Sequence, residues 1–421
     1  MEQNKEFKNT EVVQEVRGQQ AAMEFANEVI EDDSYEEDVA LQVAVVGLGN
    51  TGTQKTVRAY SEGFNSFIIN ASVKDVNVEE IPPEIPCYVV GDGRGSGGNR
   101  NTSKEFTKND LEDLFESEAF NETIQHADVV IVTYAGGGGY GSGSGPLLGN
   151  RIEALYPDKT ILHYPIAPKM SEGVTAHNNF FEVCYELEKL KATYTIGDLS
   201  QREDKDNEEA FKEVDEHFVR FCKAIRGDYE IATAAGMIDE RDKLTVLNQP
   251  GYFICEVIED IPQQQLEEKT IQGLLIDEIK NSVAAQIECD KVVEQMAFIA
   301  NVPAGADVDV NTRNMSEIKK YLANEAAPMF VNITSEHSKP VYAAIIATGL
   351  SMPITRVTKS SELVKKYNES KHRKEVDMDA ERQKMLGGVN NASTANKRKI
   401  LGKATNRNTN RAVTDGIPDF L

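Results

Sequence analysis

Seven of the ten residues from Gly136 to Gly145 are glycine. The run follows the apolar stretch Ala127-Asp-Val-Val-Ile-Val-Thr-Tyr134 and precedes the helical pattern Pro146-Leu-Leu-Gly-Asn-Arg-Ile-Glu-Ala-Leu155. A strand, a glycine loop and a helix in that order present bare backbone N–H groups to an anion. Glycine allows the close approach, because it has no Cβ. Two further strand-to-glycine junctions lie upstream. Val43-Ala-Val-Val46 runs into Gly47-Leu-Gly-Asn-Thr-Gly52, and Cys87-Tyr-Val-Val90 runs into Gly91-Asp-Gly-Arg-Gly-Ser-Gly-Gly-Asn99. Three such loops predict a polyphosphate held from several sides. The candidate contacts are Gly47, Leu48, Gly49, Asn50 and Gly52 in the first loop, Gly95, Ser96, Gly97 and Gly98 in the second, and Gly137, Gly138, Gly139, Tyr140, Gly141 and Ser142 in the third.

The first loop alone also fits a Rossmann dinucleotide site, and an NAD(P)-dependent oxidoreductase is the alternative of another class. That site expects an acidic residue at the end of the second strand. Here Ser66-Phe-Ile-Ile-Asn70 ends in Asn70, Ala71 and Ser72, which join the candidate contacts instead. Hydrolysis of a polyphosphate also needs charge neutralisation, for which Mg²⁺ serves, and an oriented water. No base stands in the glycine loops. Asp239 and Asp242, three residues apart, can point the same way from a helix start, although the same spacing suits an N-cap before Lys243-Leu-Thr-Val-Leu247.

These residues carry a resemblance. Gly137-Gly-Gly-Tyr-Gly-Ser-Gly143 resembles the tubulin signature, with Tyr140 in place of threonine. Arg94-Gly-Ser-Gly-Gly98 is similar to the γ-phosphate-sensing loop of the tubulin/FtsZ superfamily, and Pro168-Lys-Met-Ser-Glu172-Gly173 to its ribose-binding loop. Asp239-Glu-Arg-Asp242 resembles the loop that completes a neighbour's active site, and Ile345-Ile-Ala-Thr-Gly349 a strand of the second domain. The matches run in order from about residue 43 to 350. The resemblance implies GTP and GDP as ligands and hydrolysis in trans by Asp239 and Asp242 during head-to-tail assembly. It also implies Glu172 at the ribose, and Asp215 or Glu216 at the purine. Plasmid and phage TubZ-type members are the nearest in pattern, which implies DNA segregation; an FtsZ-like division filament is the alternative. Gly52 and Met237 depart from the pattern, standing where relatives often carry asparagine.

The expected fold class is α/β: a doubly wound parallel-sheet domain, a long central helix, a smaller α/β second domain and a helical or disordered basic tail. Strands are expected at 42–46, 66–70, 87–90, 127–134, 160–165 and 192–196, and near 252–257, 295–300, 328–333 and 341–348. The expected divisions are a helical extension over 1–40, a nucleotide-binding domain over 41–205, the central helix over 206–227, a catalytic loop and helix over 228–249, the second domain over 250–352 and the tail over 353–421. Within the tail a helix is expected near 360–386 and a linker over 387–396.

Charge is uneven. The net charge is −24, from 45 basic and 69 acidic residues; residues 353–421 hold 15 basic and 8 acidic ones, so the tail carries +7 and the body −31. Phosphates repel such a body, so no direct DNA binding by it is expected. The tail, with Lys397-Arg-Lys399 and the terminal Asp415-Gly-Ile-Pro-Asp-Phe-Leu421, is expected to recruit a partner such as a DNA-bound adaptor. Five cysteines without CxxC spacing point to a reducing cytoplasm and to no zinc site. No apolar run of about 18 residues suggests a membrane span.

Overall fold

The computed structural model describes residues 40–231, 238–288, 293–302, 315–322 and 324–390. The expected N-terminal helix, Met237, Cys289, Lys397–Lys399 and Asp415–Leu421 lie outside the described residues. The chain divides into two compact units, Met1–Lys365 and Lys366–Leu421.

One mixed sheet organises the first unit. Its strands are β1 (Val43–Leu48), β2 (Asn65–Asn70), β3 (Cys87–Val89), β4 (Val129–Ala135), β5 (Thr160–Ala167), β6 (Thr193–Tyr194), β7 (Gly197–Asp198), β8 (Gly251–Ile258), β9 (Gln295–Asn301), β10 (Met329–Thr334) and β11 (Tyr342–Leu350). Their order is β10-β9-β11-β8-β6-β5-β4-β1-β2-β3, with β7 pairing with β5. All pairings are parallel except those of β11, which runs antiparallel to β8 and β9. The central strands are apolar throughout because both faces are covered. Ala44, Val46 and Leu48 enter one core layer, while Val43 and Val45 enter the other. The same alternation continues in β8, where Ile254 faces the first layer and Phe253 and Cys255 the second. Shared layers and the pairing of β6 with β8 join the two expected domains through one sheet.

The helices that bear on function are α1 (Gly49–Ser61), α2 (Arg100–Glu116), α3 (Tyr140–Leu155), α4 (Val174–Leu190), α5 (Asn207–Arg226), α6 (Glu240–Leu247), α7 (Ile271–Asn281) and α8 (Ile354–Asn390). The central helix α5 starts where Asp206 accepts from Glu209 N at 2.8 Å and stops at Gly227, whose φ of 101° no β-carbon-bearing residue adopts easily. Its Val214, Phe218 and Phe221 fill the second core layer.

Two boundaries differ from the sequence reading by more than two residues. Helix α3 begins at Tyr140, six residues before Pro146, so half of the glycine run is helical. Glycine is a poor helix former, and tertiary packing overrides it here. A Cβ on Gly141 would lie 2.8 Å from Tyr134 Cβ, and Cβ atoms on Gly145 and Gly149 would overlap the Tyr134 and His163 rings. Spaced four apart, these three glycines form the face that lets α3 lie close on the sheet. Helix α8 starts at Ile354 and takes in Gly387 and Gly388, which the composition assigned to a linker.

Candidate functional site

The three glycine loops meet at the carboxyl ends of β1, β3 and β4, around the start of α3. Gly49, with φ +69°, lies beside the Gly141 N and Tyr140 Cδ1 atoms; a Cβ on it would sit 3.6 and 3.7 Å from them. A Cβ on Gly139 would stand 2.5 Å from Gly98 Cα and 2.6 Å from Ser96 Oγ. The end of β2 closes the group, because Gly95 N donates to Ala71 O at 2.7 Å and Ser72 bridges to Arg94. Gly47, Leu48, Gly49, Asn50, Asn70, Ala71, Ser72, Gly95–Gly98 and Gly137–Ser142 therefore belong to one locality.

The loop carbonyls are held by side chains that sequence reading missed. Asn179 Nδ2, on α4, lies 3.0, 3.1 and 3.4 Å from the carbonyl oxygens of Gly138, Gly137 and Gly98. Ser103 Oγ donates to Gly139 O at 2.9 Å. Ser142, wholly buried, turns back to donate to Gly138 O and Gly139 O. With the carbonyls tied inward, the N–H groups are left over. Among the described residues no hydrogen bond occupies those of Gly137, Gly138 and Gly139, and a helix start leaves its own first N–H groups free. Asn70 Nδ2 and Thr53 Oγ1 are also buried without a partner. Exposed N–H groups, unfilled donors and the absence of side chains at the loop surface suit a phosphate chain.

Tyr140 does not face this locality. Its phenol lies in the core beside the Thr107 and Ser144 hydroxyls, which hydrogen-bond each other at 2.6 Å, and meets the full bonding geometry with neither. Burial drives its pKa far up. Only the backbone of Tyr140 is available at the helix start. Gly52 is a packing glycine, since a Cβ there would stand 2.5 Å from Thr133 O.

Glu172 lies exposed in the β5–α4 loop and accepts from Lys169 N at 2.9 Å. Glu203 holds the same loop, accepting from Met170 N and Ser171 N at 3.1 Å each. The loop abuts the glycines, because a Cβ on Gly137 would approach Pro168 Cβ at 3.3 Å.

The two purine candidates are differently placed. The Asp215 carboxylate pairs with Lys55, whose side chain is fully buried, and lies 3.9 Å from Arg58 Nε. One oxygen of that carboxylate is held by the buried ammonium, and the other has no hydrogen bond among the described residues. Glu216 is exposed and stands 3.9 Å from Lys212 one turn earlier.

Asp239 and Asp242 lie at the other end of the sheet. Asp239 caps α6, accepting from Asp242 N at 2.8 Å. Burial and the neighbouring Asp239 push the Asp242 carboxyl up. Among the described residues neither carboxylate has an ion-pair partner. Helix α6 ends where Asn248 accepts from the hydroxyl of Thr160, the first residue of β5, and its Lys243 reaches Glu230 just beyond α5. These are amino-end positions, whereas the glycine loops lie beyond the carboxyl ends. Eight residues of β5 separate the two levels, about 26 Å at the usual rise of a strand.

Among the described residues no group of three or more His, Cys, Asp or Glu side chains forms a metal cage, and no helix is long and apolar enough to cross a membrane. Four cysteines, Cys87, Cys184, Cys222 and Cys255, are free thiols.

A mixed sheet with glycine loops at its carboxyl ends, a long central helix and an acidic pair at the opposite end form a tubulin-like fold. The comparisons agree. The chain is 27% identical over 139 residues to the tubulin-like protein CetZ of Pyrococcus horikoshii, covering 38% of that protein. It is 24% identical over 226 residues to cell division protein FtsZ of Aquifex aeolicus, covering 58%. These alignments span less than two thirds of each relative. Among solved structures, Clostridium botulinum phage c-st TubZ aligns with a TM-score of 0.61 at 17% identity, over 79% of this chain and 99% of that one. The GTPγS-bound protofilament of CetZ2 from Haloferax volcanii aligns with a TM-score of 0.60 at 14% identity, over 78% of this chain and 100% of that one. No family model matches the chain. In sequence the chain is similar to CetZ and FtsZ proteins, and its fold matches that of the tubulin/FtsZ superfamily, with structural likeness to TubZ.

Proposed function

We propose that this protein is a GTPase that polymerises head to tail and hydrolyses GTP between successive subunits. One observation carries the reading: the glycine cradle and the Asp239–Asp242 pair lie at opposite ends of the same sheet. Neither end is complete alone, and stacking one subunit on the next brings the pair of one to the cradle of the other. In this reading the N–H groups of Gly137–Ser142, Gly47–Gly52 and Gly95–Gly98 hold the phosphates. Glu172 contacts the ribose, and Glu216 is the purine candidate outside the Lys55–Asp215 pair. Mg²⁺ bound on the phosphates would neutralise their charge. Asp242, its proton affinity raised by burial and by Asp239, orients the attacking water from the neighbouring subunit.

The GTPγS-bound protofilament of the CetZ2 neighbour supports guanine nucleotide and self-assembly as the ligand and the partner. The likeness to phage TubZ and a tail of +7 after a body of −31 support a role in plasmid or phage DNA segregation. A DNA-bound adaptor would be captured by the tail in the cytoplasm. An FtsZ-like division role is the second reading, favoured by the terminal Ile417-Pro-Asp-Phe-Leu421.

Sedimentation of the full chain with GTP, ATP or NAD tests the core of the proposal. GTP alone is expected to give pelletable polymer, with phosphate release per subunit rising with protein concentration. Turnover independent of concentration would overturn hydrolysis in trans, and pelleting with NAD but not GTP would overturn the ligand. Truncation after Leu386 is expected to keep assembly and lose adaptor attachment. A raised critical concentration that high salt reproduces in the full chain would instead assign the tail to filament bundling.

A further inference from the structure

The first turns of α8 belong to the compact unit that ends at Lys365. From them Arg356 reaches into the body. It is 6% exposed, and its partner Asp198 is fully buried. Arg356 Nε donates to both Asp198 carboxylate oxygens, at 2.9 and 3.0 Å. Nη2 donates to Pro168 O and Nη1 to Ser360 Oγ, each at 2.6 Å. The guanidinium carbon lies 4.9 Å from the centre of the Phe180 ring.

Two of these partners touch the glycine run. A Cβ on Gly136 would stand 2.9 Å from Phe180 Cδ2, and one on Gly137 would stand 3.3 Å from Pro168 Cβ. Asn179, which holds the glycine carbonyls, directly precedes Phe180. Nη2 and the face of the guanidinium near Phe180 are therefore spent on elements that border the cradle, while Nε is held by buried Asp198 and Nη1 by Ser360 of α8 itself. A planar fork with fixed donors suits such bridging, and a lysine ammonium does not reproduce it.

We propose that Arg356 is a positioning residue for the nucleotide cradle, setting the Pro168 loop and the Asn179–Phe180 turn of α4 against the glycine run. The proposal rests on the nucleotide reading above. It also moves the working boundary of the body: the chain as far as about Lys365 is needed to build the site, although the tail counts from residue 353 by charge.

The test compares full-length wild type, Arg356→Lys, and the double variant Arg356→Met with Asp198→Asn, which removes both buried charges together. Arg382→Met, on the same helix beyond Lys365, is the control. Binding of a fluorescent GTP analogue is measured well below each unfolding midpoint, and backbone amide exchange of Gly136 and Gly143, which are bonded to Ile166 O and Gly139 O, is measured without nucleotide. The double variant is expected to bind about tenfold more weakly, as misplaced contact groups do, with faster exchange at these two amides. Arg356→Lys is expected to be intermediate, and Arg382→Met unchanged. A folded double variant with wild-type affinity and wild-type exchange would overturn the proposal and leave Arg356 a stabiliser only. If wild type binds no GTP, the nucleotide reading fails, and the exchange comparison still decides whether Arg356 positions the loops.

Discussion

Lys55 and Asp215 form an ion pair between α1 and α5, with the lysine side chain wholly removed from solvent and its ammonium 5.6 Å from the Phe211 ring centre. Burial lowers the Lys55 pKa, outweighing the attraction of Asp215. The aspartate is therefore the partner that keeps this buried charge tolerable.

Asp215→Ala strands the ammonium, and breaking such a pair costs about 3 kcal/mol or more. Urea unfolding is expected to show that loss, and adding Lys55→Met is expected to recover most of it. A loss of GTP affinity at unchanged stability would return Asp215 to a purine-reading role.

Gly139→Val places branched carbons where Gly98 Cα and Ser96 Oγ already stand within 2.6 Å of the Cβ position. The second and third glycine loops must then separate. GTP affinity is expected to fall more than about tenfold, with a smaller loss for Gly97→Asn, where a Cβ meets nothing within 4 Å and asparagine tolerates the φ of +60°. Calorimetric titration with GTP checks the contrast.

Asp242→Ala is expected to leave nucleotide binding intact, because the residue lies at the far end of the sheet from the cradle. Removal of a water-orienting carboxylate costs about 10²-fold or more in turnover. Filaments should persist longer. Phosphate release at the wild-type rate would remove Asp242 from the proposed mechanism.

Glu230 is 6% exposed in side chain and pairs with Lys243 at 3.2 Å, with its second oxygen unpartnered. Burial raises its pKa to about 6 despite the lysine. The folded protein therefore holds a proton between pH 4.5 and 6 that the unfolded chain releases, and by linkage this group's contribution to stability rises as pH falls through that window. Against Glu230→Gln, wild type is expected to gain about 1–2 kcal/mol on that descent. Parallel stability–pH curves for the two proteins would contradict it.

Much of the sheet was legible in the chain. Runs such as Val43–Leu48 and Val129–Ala135 carry their own burial pattern, and glycine after a strand is readable because what it lacks is local. The clustered glycine loops were legible for that reason: the proposed phosphate contacts are backbone N–H groups, which only glycine spacing exposes. Its division into ligand-facing and packing positions was not legible. Gly141, Gly145 and Gly149 answer to Tyr134 and His163, and Tyr140 turns into the core, because the space available to each is set by another element.

The partners of charged side chains lay further out of reach. Lys55 meets Asp215 across 160 positions, and Arg356 meets Asp198 across 158. No local pattern marks such pairs, since a charge reads as solvent-facing until folding buries it and forces a counter-charge upon it. The amino-acid sequence by itself determined the layered sheet, the glycine loops at its strand ends and the acidic pair after the central helix, all of which follow from backbone geometry and short-range periodicity. Only the tertiary structure decided that cradle and acidic pair lie at opposite ends of one sheet, that Asp215 pairs with Lys55, and that the start of the C-terminal helix is built into the site, because burial and long-range pairing exist only once the chain has closed.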